Sequence, residues 1–224
     1  MKGSVTGLPY RWAIELAIEG DLRFFSHRDV MRAMERIANR AKLPLRYSRG
    51  FNPRPVLSLP CPRPVGVATR DDRLVFALDD PMNEAELRGR LNRQAPEGLR
   101  FLAAHLLQGS NTPRVRRVDY ELVLAPAQGR ELRRRLEELK TMTTWPVQRR
   151  GKGGRGRKNA PRPTRTIDIK PMVGELGIQM DVLHFACLAQ EQKWAKPGEV
   201  LALLGLSVPE HMGRLVRTRI DDDI

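Results

Sequence analysis

Cysteine is nearly missing from this 224-residue chain: only Cys61 and Cys187 occur, far apart in sequence. That spacing offers no disulfide framework, and two thiolates cannot hold an iron–sulfur cluster or an all-cysteine zinc site. Long apolar runs are absent too. The longest, around Val200–Leu206, falls far short of the ~20 residues that span a bilayer. Residues Met1 to Arg11 carry no apolar stretch behind Lys2, so no secretory signal is expected and a cytoplasmic protein without a membrane partner is the default. Aromatic residues make up only 5% of the chain. No phosphate-binding G-x-x-x-x-G-K-[ST] loop, dinucleotide G-x-G-x-x-G fingerprint or G-x-S-x-G elbow is present. Gly151–Gly156 is glycine-rich, but it is too basic to be a nucleotide cradle and lacks a strand-to-helix turn. The four histidines, His27, His105, His184 and His211, show no paired metal-ligand spacing, so neither metal nor cofactor is expected.

What the chain has is positive charge. Lys and Arg number 40 against 26 Asp and Glu, a net charge of +14. Of those cations 32 are Arg and 8 are Lys. The guanidinium fork pairs bidentately with phosphate, so a polyanion is the first partner to test. Arginine-favouring codon usage would produce the same excess. The clustering says more than the total. No acid lies between Glu35 and Asp71, whereas Arg36, Arg40, Lys42, Arg46, Arg49, Arg54, Arg63 and Arg70 do. A second acid-free window, between Glu138 and Asp168, holds Lys140, Arg149, Arg150, Lys152, Arg155, Arg157, Lys158, Arg162 and Arg165.

Apolar periodicity organises the chain into two halves, residues 1–108 and 117–224, joined by a linker at 108–116. In the first, alternation marks a strand at Arg11–Ile18. Ser26 and Asp29 then form an S-x-x-D capping box before a helix whose Val30, Met34, Ile37 and Ala41 face inward. Leu43-Pro44 ends that helix. A proline-interrupted extended stretch, a strand at Leu74–Leu78, a helix at Glu84–Gln94 and a strand at Leu99–Leu107 follow. The second half repeats the order: a strand around Tyr120–Leu124 and a helix at Glu131–Lys140 come first. Strands at Trp145–Arg149 and Thr166–Lys170 then flank a basic loop. A strand at Ile178–Phe185, a helix between Pro197 and Gly205 and a strand at Leu215–Ile220 complete it. The expected fold class is α+β, two tandem ferredoxin-like (split βαβ) halves with a basic hairpin loop at 149–165 in the second.

Three features carry candidate chemistry. Arg28, Arg32, Arg36 and Arg40 recur every fourth residue and form a ridge on the first helix. Such a row repels itself, which an anion would relieve; an ordinary solvated face is the competing reading. The segment Arg149–Arg165, with Arg150, Lys152, Arg155, Arg157 and Lys158 among its glycines, has the composition of RNA-binding Arg/Gly segments. It could equally be a hairpin tip without a specific role. Lastly, Tyr47-Ser48-Arg49-Gly50-Phe51-Asn52-Pro53-Arg54-Pro55, just after Arg46, sets two aromatics and two arginines on a stiffened loop. Tyr47 or Phe51 could stack on an unpaired base while Arg46, Arg49 and Arg54 hold phosphates; alternatively Phe51 anchors the loop in the core. His27, beside the helix cap, is the one candidate general base for RNA cleavage.

The motifs Gly20-Asp21-Leu22-Arg23-Phe24-Phe25-Ser26-His27-Arg28-Asp29, Leu43-Pro44 leading to Tyr47–Pro55, Pro64-Val65-Gly66, Arg165–Pro171 and Lys196–Leu201 resemble the radical-SAM-linked domain family of unknown function. Bacteria carry that family as a separate protein or fused behind a radical SAM enzyme. The resemblance implies an uncharacterised role, with members encoded near RNA-processing or ribosomal genes. This chain lacks the three-cysteine cluster motif, so any part in radical SAM chemistry is that of a separate partner. The tandem layout also looks like that of CRISPR RNA-processing endonucleases, at the level of fold alone. The expected function is RNA binding in RNA processing, RNA modification or ribosome assembly, with ribosomal or transfer RNA as ligand and no catalytic residue assigned. The alternatives are an adaptor for a radical SAM enzyme, a structural component bound to the ribosome, and a metal-independent endoribonuclease using His27.

Overall fold

The computed structural model describes residues 8–109, 112–126, 128–150, 163–191 and 193–223. It is a mixed α+β protein with few helices. The chain divides into two compact units, Met1–Val118 with Gly213–Ile224, and Asp119–Met212.

In the first unit, β1 (Tyr10–Ile18), β3 (Ala68–Leu78) and β4 (Leu99–Leu107) form a sheet in the order β4-β1-β3, with β1 antiparallel to both neighbours. The two-residue strand β2 (Leu57–Ser58) pairs antiparallel with β3. It stays short because prolines at 53, 55, 60, 62 and 64 remove ladder donors on both sides. Helices α1 (His27–Arg40) and α2 (Glu84–Asn92) pack on one face of this sheet. The alternating residues Trp12, Ile14, Leu16 and Ile18 of β1 and Leu74, Phe76 and Leu78 of β3 meet Val30, Met34, Ile37, Leu87 and Leu91 there.

The capping box at the start of α1 forms as its sequence requires: Ser26 Oγ accepts from the Asp29 amide, and the Asp29 carboxylate accepts from the Ser26 amide. The Ser26 hydroxyl also donates to Asp29, and this hydrogen bond holds the carboxyl below its usual pKa.

The closing segment, which element order alone assigns to the second half, folds with the first unit. Strand β10 (Val216–Asp221) runs parallel to β3 through Val216 and Arg217. Arg217 is completely buried, donating to the Asp72 carboxylate at 3.0 Å and to the Cys61 carbonyl at 3.1 Å. Burial pushes the Asp72 carboxyl up and the Arg217 guanidinium pulls it back down, leaving it above its ordinary value. Nearby Arg73 meets Asp71 and Asp222, the latter at 2.7 Å.

In the second unit, which β5 (Arg117–Val123) enters at Asp119, β5, β9 (Val182–Leu188) and β8 (Val173–Gln179) lie in the order β5-β9-β8. Helix α3 (Gly129–Thr141) buries Leu132, Leu136 and Leu139, and Tyr120 stacks on Phe185 with ring centroids 5.3 Å apart. The single strand expected at Ile178–Phe185 is two strands of a hairpin, β8 and β9. They turn at Met180, whose φ of +52° allows the reversal without a glycine. A separate hairpin pairs β6 (Pro146–Arg150) with β7 (Thr164–Asp168). Its base is fastened by the buried Trp145, whose indole donates to the Leu139 carbonyl at 3.0 Å and whose amide donates to Asp168 at 2.7 Å. Helices α4 (Pro197–Leu203) and α5 (Val208–Met212) complete the unit.

Candidate nucleic-acid interface

Residues Arg28, Arg32, Arg36 and Arg40 all lie exposed on α1, on the side away from its buried stripe. Arg28 and Arg36 have no hydrogen-bond or ion-pair partner among the described residues. Arg32 is 3.8 Å from Asp29, both half-exposed, and Arg40 donates to the Gln94 carbonyl at 2.9 Å.

Helix α3 has as many arginines and treats them differently. Arg134 pairs with Glu131 and Glu138, and Lys140 with Glu137 at 2.7 Å. Arg135 pairs with Glu138 at 2.9 Å, and Arg133 caps the Met180 carbonyl. Acids one turn away meet Arg134 and Arg135, the arrangement usual on surface helices, while Arg130 has no side-chain partner among the described residues. Along α1 the arginines follow one another at four-residue spacing, so Arg28 and Arg36 keep their charge available.

The loop after α1 folds as a small hairpin hydrogen-bonded to itself. Ser48 and Arg54 exchange bonds (Ser48 amide to Arg54 carbonyl 2.7 Å, Arg54 amide to Ser48 Oγ 3.0 Å), and the Val56 amide reaches the Arg46 carbonyl at 2.8 Å. Gly50 turns the tip at φ +142°. Phe51 stands there fully exposed at 106% relative accessibility, which removes the reading of it as a core anchor. Arg49 and Arg54 are exposed beside it. Tyr47 is 43% exposed, and its hydroxyl donates to Asn39 Oδ1 on α1 at 3.3 Å. That bond ties the aromatic hairpin to the arginine helix, so these two sequence features converge in space. Arg46 stands apart from them, half-buried and bonded to Asp79 at 2.5 Å.

The second basic segment is described only at its base. Arg149 is engaged by Glu199 through two bonds of 2.7 Å and by the Trp194 carbonyl, so Glu199 raises its pKa and it braces β6 against α4. Arg150 is exposed. Lys152, Arg155, Arg157 and Lys158 lie outside the described residues.

His27, the first residue of α1, is exposed and lines a narrow cleft with Phe25, Cys61, Arg63 and Asp72. The cleft holds about 10 Å³, room for about one water. Burial pushes the Cys61 thiol up, away from a reactive thiolate. Asp72, the carboxylate lining this cleft, is already committed to Arg217. The cleft is thus too small to admit a nucleotide, and the His27 ring makes no hydrogen bond to a described residue. Among the described residues no group of three or more His, Cys, Asp and Glu side chains is placed to hold a metal ion, and no helix is long and apolar enough to cross a membrane.

A family of uncharacterized proteins conserved in bacteria (DUF2344) matches residues 11–197. The chain belongs to that family. The match includes the arginine helix, the aromatic hairpin and the β6–β7 hairpin, and its description names no reaction or ligand. No curated protein matches the chain.

Sequence reasoning missed two arrangements that the structure brings together. One is the buried Arg217–Asp72 pair, whose members are 145 residues apart. The other is a basic basin between the C-terminal ends of α1 and α2, formed by Arg40, Lys42, Arg90 and Arg93. The acid-free window containing Arg40 and Lys42 was the only local signal for the second.

Proposed function

We propose that this protein binds RNA. The α1 ridge tracks the phosphate backbone, and the 47–54 hairpin offers Phe51 and Tyr47 as stacking platforms for unpaired bases. The observation that carries this reading is the full exposure of Phe51 on a hairpin fastened to a helix with uncompensated arginines. An aromatic ring left in water gains nothing for folding, whereas a base stacked on it is worth about 1–3 kcal/mol. The 149–165 segment enters the reading through its composition, with Arg150 and the cations at 152–158 as further phosphate contacts. Ribosomal or transfer RNA, met in processing, modification or subunit assembly, is the ligand class. A cytoplasmic setting fits, since Cys61 and Cys187 are free thiols. In this proposal both halves derive from split-βαβ units, the first retaining the antiparallel β4-β1-β3-β2 order.

Single-stranded RNA should bind the full chain at low salt. Phe51→Ala should weaken that binding about tenfold, the low end of one stacked base. Its melting temperature should not change, because Phe51 buries nothing in the fold. Absence of RNA binding by the wild-type chain at low salt refutes the proposal.

A second reading, delivery of substrate to a radical SAM enzyme, is favoured by a different observation. Phe24 and Val65 are each about half exposed (52% and 53%), and Phe24 approaches the Gly66 turn beside Val65. Arg23 lies over the Phe24 ring at 4.8 Å. An apolar patch of this kind suits a protein partner. A stable complex that survives nuclease, with no RNA retained, distinguishes it.

A further inference from the structure

The basin between the ends of α1 and α2 is an open hollow of about 380 Å³ lined by Arg40, Ala41, Lys42, Arg90, Arg93 and Gln94. Four of these six are cations and none is an acid. Cations at helix C-termini have an ordinary explanation, since the helix dipole and the unsatisfied carbonyls favour them. Arg40 fits it, donating to Gln94, and Arg90 is paired with Glu86 at 2.5 Å.

Lys42 does not fit it. The amides of Lys42 and Leu43 bond to the carbonyls of Asn39 and Ala38 at 3.0 and 3.1 Å, the two bonds of a Schellman ending. Lys42 therefore occupies the left-handed position of that motif, with φ +53°. Glycine normally stands there, because any Cβ is penalised. The chain keeps a lysine where glycine is the steadier residue, and its ammonium has no partner among the described residues. Arg93 is likewise without an acidic partner; its guanidinium lies back over Gly89, 3.7 Å from where a Cβ would stand. Two cations without an acidic partner on one cationic hollow, one of them kept at a left-handed backbone position, point to an anionic ligand.

We propose that this basin is a phosphate-binding site, with Lys42 and Arg93 as its direct ligands and Arg40 as the junction with the α1 ridge. It deepens the RNA reading and rests on it for the source of the phosphate. That source is either the terminal phosphate of a strand or an internal one reached from the ridge. The volume falls in the range of small-molecule sites and admits a phosphate with its bound water.

Lys42→Gly separates strain from function because the two roles move opposite observables. The variant should melt about 2 °C higher than the wild type, as the left-handed penalty is relieved and partly offset by the added freedom of the unfolded chain. Its affinity for a short RNA should fall about tenfold, the loss of one charged hydrogen-bonding group. Arg93→Gln should show the same loss of affinity. Oligonucleotides with and without a 5′-phosphate distinguish the sources: a loss confined to the phosphorylated strand assigns the terminal group, and an equal loss assigns an internal one. Inorganic pyrophosphate serves as an RNA-independent probe. It should raise the melting temperature of the wild type and not of either variant. If that contrast appears while RNA does not bind at all, the basin stands and the RNA reading falls. If RNA binds and neither substitution alters RNA affinity or the pyrophosphate shift, the basin proposal is overturned.

Discussion

Replacing Arg28, Arg32 and Arg36 by alanine tests whether the α1 charge is used or merely carried. Arg28 and Arg36 are unpaired among the described residues, and Arg32 is held only by a half-exposed Asp29 at 3.8 Å. Each is therefore available for one phosphate. Each single-strand phosphate contact contributes about 0.7 to the slope of log K against log salt, so removing three should flatten it by about 2. Over a fourfold rise in salt, the wild type should then lose about 16-fold more affinity than the variant. Stability should barely change, because the substitutions lie opposite the buried stripe and alanine favours helix. The matched control is Arg133, Arg134 and Arg135 to alanine on α3, which removes three charges already engaged, two by glutamates and one by the Met180 carbonyl. Fluorescence anisotropy with a labelled single strand across a salt series gives both slopes. Equal slopes in the two variants would show that net charge alone sets the affinity, and the ridge would lose its special role.

Two further outcomes concern the scaffold. Asp72→Ala leaves the Arg217 guanidinium fully buried without its carboxylate, and should cost about 3–5 kcal/mol in a urea titration; a loss below about 1 kcal/mol would mean the pair is dispensable. Gly98→Ala should destabilise comparably: its φ is +81° and an added Cβ would stand 2.6 Å from the Glu19 carbonyl oxygen, whose own amide is bonded to the Gly98 carbonyl. Near-wild-type melting of that variant would show that the Glu19–Gly98 contact can open without loss.

Much of the first unit was legible because its determinants are local. The alternation in Arg11–Ile18, the Ser26/Asp29 box and the span of Leu99–Leu107 each need only a few neighbouring residues, and each appears where the pattern places it. The β8–β9 turn was not legible, since Gln179-Met180-Asp181-Val182 carries none of the glycine, asparagine or proline that mark a hairpin. Burial of Arg217 could not be read either. Within Leu215–Ile220 it looks like an outward-facing cation, and only the distant Asp72 makes its burial tolerable.

The same limit applies to the candidate interface, and it explains why counting arginines misleads. A sequence window treats Arg36, Arg46, Arg134 and Arg149 as equivalent positive charges. In the fold Arg46 answers Asp79, Arg134 answers two glutamates on its own helix and Arg149 answers Glu199, whereas Arg36 answers nothing among the described residues. What distinguishes a binding cation is the absence of a competing carboxylate, a property of the neighbourhood rather than of the residue. On α1, arginines repeated every four residues occupy positions where compensating acids would otherwise sit, and only Arg32 meets one, Asp29 at 3.8 Å. For Lys42 and Arg93 the neighbourhood is assembled from two helices, and the sequence leaves only the acid-free window around Lys42 and a helix that ends without its glycine.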